Sequence, residues 1–342
     1  MKILMKNQNM IYAIKNGEIV HISEVESGLK CECRCPACGE TLIARKGKKV
    51  IHHFAHKSTE ECEYGYQTSL HLAAKEIIAE NKQISVPALF LTLPGNGREV
   101  LIEDEKVINV SDVILEKKIN DIVPDILLVT DIGQIIVEIY VTHEIDNEKK
   151  RKIKRIGIPT IEIDLSKLER NITKEALCKE LLFENDNKSW IYNGKREISY
   201  KKFLDVSDWK PIIVRGYASH VDYCPIKRRV WKGKPYANFL DDCYGCDYFV
   251  GYKRNRNKED EQDQILCSGK NRVGSLEDFD VPLENRLQAY NMKREEEKYE
   301  LIGQGICPQC GYDLKIRQGK FGEFFGCSNY PHCQFTFSYD EK

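Results

Sequence analysis

The order of segments along this chain predicts an α/β layer fold accompanied by three small zinc-binding modules. Two observations carry that prediction. Between residues 64 and 185 an amphipathic helical stretch is followed by several Val- and Ile-rich runs, a charged helical stretch and one more apolar run, the succession expected when helices pack on a sheet. The chain also holds fourteen cysteines, most of them in groups built around Cys-x2-Cys pairs, a spacing that marks metal knuckles.

Taken in order, residues 1–30 read as two short strands around a turn at Asn16-Gly17. In residues 67–81, Leu70, Ala74, Ile77 and Ile78 recur at helical spacing and mark one apolar face. Residues 84–118 read as strands separated by Gly, Pro and Asp. PDILLV and QIIVEIYV, joined by TDIG, form a hairpin whose near-continuous apolar runs suit central strands covered on both faces. Residues 145–156 are charged and helical, and residues 158–165 are a further strand. The expected division is 1–63 (strands and a Cys/His module), 64–185 (α/β core), 186–275 (a basic, aromatic-rich cysteine module), 276–304 (a helical connector) and 305–342 (a last cysteine module).

The net charge is −1, so any nucleic-acid surface has to come from local segregation of charge. The first residues lack the apolar centre of a secretory signal, and no apolar run approaches the ~20 residues that span a bilayer. The expectation is a soluble, cytoplasmic protein whose cysteines stay reduced.

The strongest metal signal is Cys307 and Cys310, followed by Cys327 and Cys333. A Cys-x2-Cys knuckle presents two thiolates to one ion, and a second pair completes the tetrahedron that zinc prefers. Around it, Phe321, Phe324, Phe325 and Tyr330 offer faces for bases, or a core for a small ribbon, while Lys315, Arg317 and Lys320 can meet phosphates. This segment resembles the C-terminal zinc finger of bacterial type I topoisomerases. The resemblance implies a small ribbon that binds DNA, single strands above all. A middle group, Cys224, Cys243, Cys246 and Cys267, predicts a second zinc ion. Lys227, Arg228, Arg229, Lys232 and Lys234, with Trp231 and Tyr236, surround it as a basic and aromatic surface for a phosphate backbone. In the first group Cys35 and Cys38 are followed by three histidines in five residues. His53 and His56 are the simplest completing pair, His52 can replace His53, and Cys31, Cys33 and Cys62 stand as spare thiols. About three zinc ions are therefore expected.

Two carboxylates mark the candidate catalytic site. Asp125 opens PDILLV, and Glu138 lies inside QIIVEIYV, where a charge among Ile and Val is costly unless something compensates it. A Mg²⁺ or Mn²⁺ ion would do so and would serve phosphodiester hydrolysis. Pro124-Asp125 and then Glu138-x-Tyr140 resemble the PD-(D/E)XK nuclease core of restriction endonucleases. The wider stretch of CPAC, HHFAH, Ser69-Leu-His71 with Lys75, PDILL, VEIYVTHEIDNEKK and IEIDLS resembles the competence protein CoiA-like family. That resemblance implies Asp125 and Glu138 as metal ligands, with the helix of His71 and Lys75 lining the cleft. It also shows two departures. Tyr140 stands where the motif has lysine, and a tyrosine with pKa ~10 supplies no cation at neutral pH. Gln67 replaces an acid often found on the first helix. Lys75 is the first candidate to replace the lysine, being one helical turn from His71; Lys149 and His143 follow. The expectation is a metal-dependent DNA nuclease whose zinc modules bind DNA, single- and double-stranded. The rival is a non-catalytic DNA-binding adaptor on a degenerate nuclease core. DNA uptake, recombination or defence against foreign DNA, with protein partners in such a system, are compatible settings.

Overall fold

The hairpin at Asn16-Gly17 forms as its sequence requires, with both residues at positive φ (55° and 90°) between β1 (Tyr12–Lys15) and β2 (Glu18–His21). The computed structural model describes residues 10–338 apart from 50, 59–61, 63, 143–144, 170, 232 and 255–261. His143 and Lys232 therefore lie outside the described residues. The chain forms two units, Met1–Phe90 with Ile102–Glu197, and Leu91–Leu101 with Ile198–Lys342.

In the first unit β3 (Leu42–Arg45) pairs with β4 (His53–His56), and α1 (Gly65–Glu80) follows. Pro87 interrupts the next apolar run and divides it into β5 (Gln83–Val86) and β6 (Leu89–Thr92), because proline has no N–H for a ladder. β6 turns back as β7 (Glu99–Glu103), and the Leu91–Leu101 stretch of this hairpin counts with the second unit. Then come β8 (Lys106–Leu115), β9 (Ile126–Thr130), β10 (Gly133–Tyr140), α2 (Asn147–Ile156), β11 (Thr160–Asp164), α3 (Lys174–Leu182), β12 (Lys188–Tyr192) and α4 (Lys195–Asp205). A six-stranded sheet has the order β12-β11-β10-β9-β8-β5. Its β10–β11 pair is parallel and joined through α2, and its other pairs are antiparallel.

Strand alternation distributes the apolar residues between two layers. Ile126, Leu128, Ile135, Val137 and Ile139 pack with Leu70, Ala74 and Ile78 of α1 and with Leu177 and Leu181 of α3. Leu127 and Ile136 point the other way, into a smaller cluster with Ile153 of α2. α2 begins where the side chain of Asp146 accepts the Lys149 amide, and it ends at Gly157, left-handed at φ 78°.

In the second unit, β13 (Asp208–Pro211), β14 (Ile213–Arg215), β15 (Ala218–Asp222), β16 (Arg229–Trp231), β17 (Lys234–Asn238), β18 (Phe249–Lys253) and β19 (Gln264–Cys267) form two small sheets. The expected helical connector is α5 (Leu283–Gly303), which leads to the ribbon β20 (Leu314–Gly319), β21 (Gly322–Cys327) and β22 (Thr336–Ser338). Among the described residues no helix is long and apolar enough to cross a membrane.

Candidate active site and metal centres

β9 and β10 bring the two carboxylates together. Val137 pairs with Ile126, so the next residues outward on the two strands are Glu138 and Asp125. Oδ2 of Asp125 accepts from His71 Nε2 at 2.8 Å and from the Ile139 amide at 2.9 Å, and Oδ1 lies 3.3 Å from Lys75 Nζ. Burial alone would raise this carboxyl. The bond and charge of His71, the Ile139 amide and the charge of Lys75 outweigh it and hold Asp125 well below the usual carboxylate range.

Glu138 is 3% exposed. Lys149 Nζ reaches its Oε2 at 2.7 Å, while Oε1 is buried with no hydrogen-bond partner among the described residues. Burial pushes Glu138 up and the neighbouring charge of Asp125 pushes it further, with Lys149 opposing both. An orphaned, buried carboxylate oxygen beside a second acid suits a hard divalent cation. α1 and α2, which pack on opposite faces of the sheet, thus both deliver ammonium groups to the ends of β9 and β10. Tyr140 pairs in register with Asp164. Gln67 stands one turn before His71 on α1.

Among the described residues, two further acids flank this pair and were not anticipated. The Glu116 amide donates to the Asp125 carbonyl at 3.2 Å, and its carboxylate receives Lys75 Nζ at 2.8 Å. Glu162 on β11 is the register partner of Glu138. A signal for Glu162 existed, since IEID places an acid between apolar residues just as VEIY does. For Glu116, an exposed residue at the end of β8, we find none.

The first metal group differs from the expected ligand pair. Cys35, Cys38, His56 and Cys62 bring their ligand atoms within 4.8 Å of one another. His53 stands apart, with its Nδ1 2.8 Å from the Ile51 carbonyl. The reason is local: His53 and His56 lie on β4, where residues three apart point to opposite faces, whereas a helix would align them. Cys62 takes the fourth place. Gly65, the first residue of α1, adjoins the cluster, and a Cβ there would sit 3.4 Å from Cys35 Sγ and 3.6 Å from His56 Cε1. The first turn of α1 therefore adjoins the thiols, and burial there pushes the Cys35 thiol up while the Glu40 amide lowers Cys38. Cys31 and Cys33 are buried core thiols whose Sγ atoms donate to the Leu42 and Cys31 carbonyls.

Cys307, Cys310, Cys327 and Cys333 form the second close group, with sulfurs 3.8 Å apart for Cys307 and Cys333 and 3.2 Å for Cys310 and Cys327. The middle four, Cys224, Cys243, Cys246 and Cys267, line one shared cavity but are not drawn that close. Burial, with the neighbouring thiols adding to it, pushes Cys243 up. Burial also pushes Cys267 up, to about 11. A cation among these thiols would hold them as thiolates. All fourteen cysteines are free thiols, and the clusters support zinc binding.

On the ribbon, β20 and β21 alternate, so Leu314, Phe325, Cys327 and Phe337 form the core while Lys315, Arg317 and Phe324 share the other face. Arg317 is the cross-strand partner of Phe324 and lies over Gly326, where a Cβ would come within 2.8 Å of its Cδ and Nε. Gly319 leaves the matching space beside Phe324, at 3.1 Å. Phe321 is 95% exposed with Lys320 Nζ 5.7 Å from its ring centroid, and Tyr330 is also exposed. In the middle module Arg228 lines the thiol cavity. Arg229 is already held by Asp242 through two contacts at 2.6 and 3.2 Å, so it is less available for a phosphate than its sequence suggests.

Comparison with known proteins matches two segments of the chain. The family model for the N-terminal domain of competence protein CoiA matches residues 19–65, which contain all four ligands of the first cluster. The topoisomerase DNA-binding C4 zinc finger matches residues 304–342. Among curated proteins, DNA topoisomerase 1 of Methanothermobacter thermautotrophicus is 49% identical over 49 residues, covering 14% of this chain and 6% of that protein. DNA topoisomerase 1 of Methanocaldococcus jannaschii is 59% identical over 110 residues, covering 28% of this chain and 14% of that protein. That of Campylobacter jejuni is 32% identical over 87 residues, covering 25% and 12%. The chain thus spans less than a fifth of the length of these relatives. No solved structure matches. The chain joins a segment similar to the competence protein CoiA N-terminal domain, residues 19–65, to one similar to the topoisomerase C4 zinc fingers, residues 304–342.

Proposed function

We propose that this chain is a metal-dependent DNA nuclease with a PD-(D/E)XK-like core, in which the cysteine modules hold zinc and grip DNA. The observation that carries this reading is the pairing of half-buried Asp125 with buried Glu138, whose Oε1 has no partner among the described residues, with two ammonium groups at its edges. Asp125 and Glu138 would hold Mg²⁺ or Mn²⁺, which when bound supplies positive charge to a phosphodiester under attack. His71 and the Ile139 amide fix the Asp125 carboxylate in one orientation. Lys149 or Lys75 takes the place of the motif lysine, steadying a phosphate or orienting water from a helix instead of from β10. The topoisomerase-like ribbon binds DNA, with Arg317 and Phe324 as a flat platform for a base and Lys315 and Lys320 for phosphates. Arg228, at the thiol cavity, adds a further basic group, and Lys232 stays a DNA-binding candidate on its sequence position alone. The five segments anticipated from sequence, and a reducing cytoplasmic setting, belong to the same proposal.

One observation favours the adaptor. Each acid already has a lysine partner, so the pair is partly neutralised without an ion. Incubating purified protein with linear, circular, single- and double-stranded DNA in Mg²⁺ or Mn²⁺ separates the readings. The nuclease reading expects cleavage that EDTA abolishes and that Asp125→Ala and Glu138→Ala lose. If no DNA form is cut with either ion while DNA is still bound, the chain is an adaptor.

A further inference from the structure

Lys75 is 4% exposed, an uncommon place for an ammonium group. Its Nζ bridges Glu116 Oε1 at 2.8 Å and Asp125 Oδ1 at 3.3 Å. The bridge exists because the chain leaves β8 with Glu116 in the left-handed region, φ 50°, while the Glu116 amide still pairs with the Asp125 carbonyl. The two acids are thereby set side by side at the strand ends. On the other side of Asp125, Glu138 keeps Oε1 buried and unpartnered, and Lys149 occupies only Oε2.

Where phosphodiester chemistry uses two divalent ions, they sit about 3.5–4 Å apart and share an acid. An ammonium bridging Asp125 and Glu116 fills the position of such a second ion. We infer that the acidic row takes a single divalent cation, held between Asp125 and Glu138, with Lys75 as a fixed second cation and Glu116 as the positioning residue that keeps it there. The inference rests on the metal-dependent reading above, and it concerns how many ions this chain accepts and which residue decides that number. Asp125 serves both cations and so couples them. Glu116 gives Lys75 a partner that Asp125 alone, already shared with His71 and the Ile139 amide, does not provide. Removing the ammonium should leave the Glu116 carboxylate and Oδ1 of Asp125 without their shared partner, a place for another hard cation, while Oδ2 of Asp125 stays with His71 and the Ile139 amide.

Titration of the zinc-loaded full chain with Mn²⁺, followed by electron paramagnetic resonance of free and bound Mn²⁺, counts the ions without reference to cleavage. The Asp125→Asn/Glu138→Gln double variant supplies the background. Wild type is expected to bind one Mn²⁺ above that background, with no exchange-coupled signal. Lys75→Met is expected to bind two, with exchange coupling, and Lys75→Met/Glu116→Gln to return to one. Wild type binding two ions, or folded Lys75→Met staying at one, overturns the inference and leaves the metal-dependent reading intact. If Lys75→Met does not fold, the wild-type count and its coupling decide alone. No Mn²⁺ above background in wild type overturns both.

Discussion

Lys149 on α2 places its Nζ 2.7 Å from Oε2 of Glu138 on β10, two residues before Tyr140. A lysine on β10 itself would reach this acid along the strand face. Here the ammonium arrives from the helix that caps the parallel crossover, so the same charge is supplied from a different element.

That arrangement makes Lys149→Met a direct test. With the ammonium gone, Glu138 is buried with neither oxygen paired and shifts toward its protonated form. Cleavage should fall by about 10²–10⁴-fold, the span typical for loss of a positioned proton-transfer or charge-stabilising group. Tyr140→Lys in that background should recover much of the loss, measured as kcat on a DNA form the wild type cuts. Unchanged cleavage by Lys149→Met would remove Lys149 from the site.

The first zinc centre predicts a contrast between neighbours. Cys62→Ser, like Cys35→Ser, should lose one zinc equivalent per chain by metal analysis, because each removes one of four close ligands. His53→Ala should keep the full zinc content. The reverse pattern would restore His53 as a ligand.

The ribbon predicts stacking and salt dependence. Phe324→Ala should weaken single-strand binding by about 1–3 kcal/mol if the ring stacks on a base. Lys315→Ala should instead lower the slope of log affinity against log salt by about one phosphate contact. Gly326→Ala should act like Phe324→Ala, since its Cβ displaces the Arg317 stem. Fluorescence anisotropy at several salt concentrations reads all three. Full affinity in both Phe324→Ala and Gly326→Ala would mean that the platform faces something other than a base.

Lys188 predicts a pH effect on stability. It is buried on β12, donates to the Ser85 carbonyl at 2.9 Å, and is lowered by that burial to about 8. The unfolded chain keeps the ordinary lysine value of ~10.4 and so binds more protons between the two values. Stability attributable to this residue should therefore rise as pH increases from about 8 to about 10.4 and be lowest below 8. Lys188→Met should remove that rise. Below pH 8 it should gain on the order of 2 kcal/mol, after the lost bond to Ser85 is set against a desolvation cost of about 3 kcal/mol. Denaturant midpoints of both proteins at pH 7 and 10 check this, and equal slopes would refute it.

Much of the α/β unit was legible because its signals are local. Asn16-Gly17 dictates a turn, the apolar spacing of Leu70, Ala74, Ile77 and Ile78 a helix, and the two apolar runs around TDIG a hairpin. Asp125 and Glu138 stood out because a carboxylate in an apolar run needs a reason. What stayed hidden depended on register and on partners distant in sequence. His53 and His56 look equivalent until β4 is known to be a strand. Cys62 looks spare until α1 begins at Gly65 beside Cys35. Arg229 looks free until Asp242 is brought to it. Glu116 gains its meaning only through Lys75, forty-one positions earlier in the chain.

Gly65 touches the first thiol cluster, and ten residues later the same helix carries Lys75. At 1.5 Å per residue the two ends of this segment lie about 15 Å apart on one rigid rod. The metal knuckle is thus the fulcrum of a lever whose far arm holds the acids. Stripping zinc from Cys35, Cys38, His56 and Cys62 should loosen the rod at its pivot, which amide exchange at residues 71–75 before and after chelation would register. An oxidant that attacks those thiols would then disarm the chain without reaching a single carboxylate.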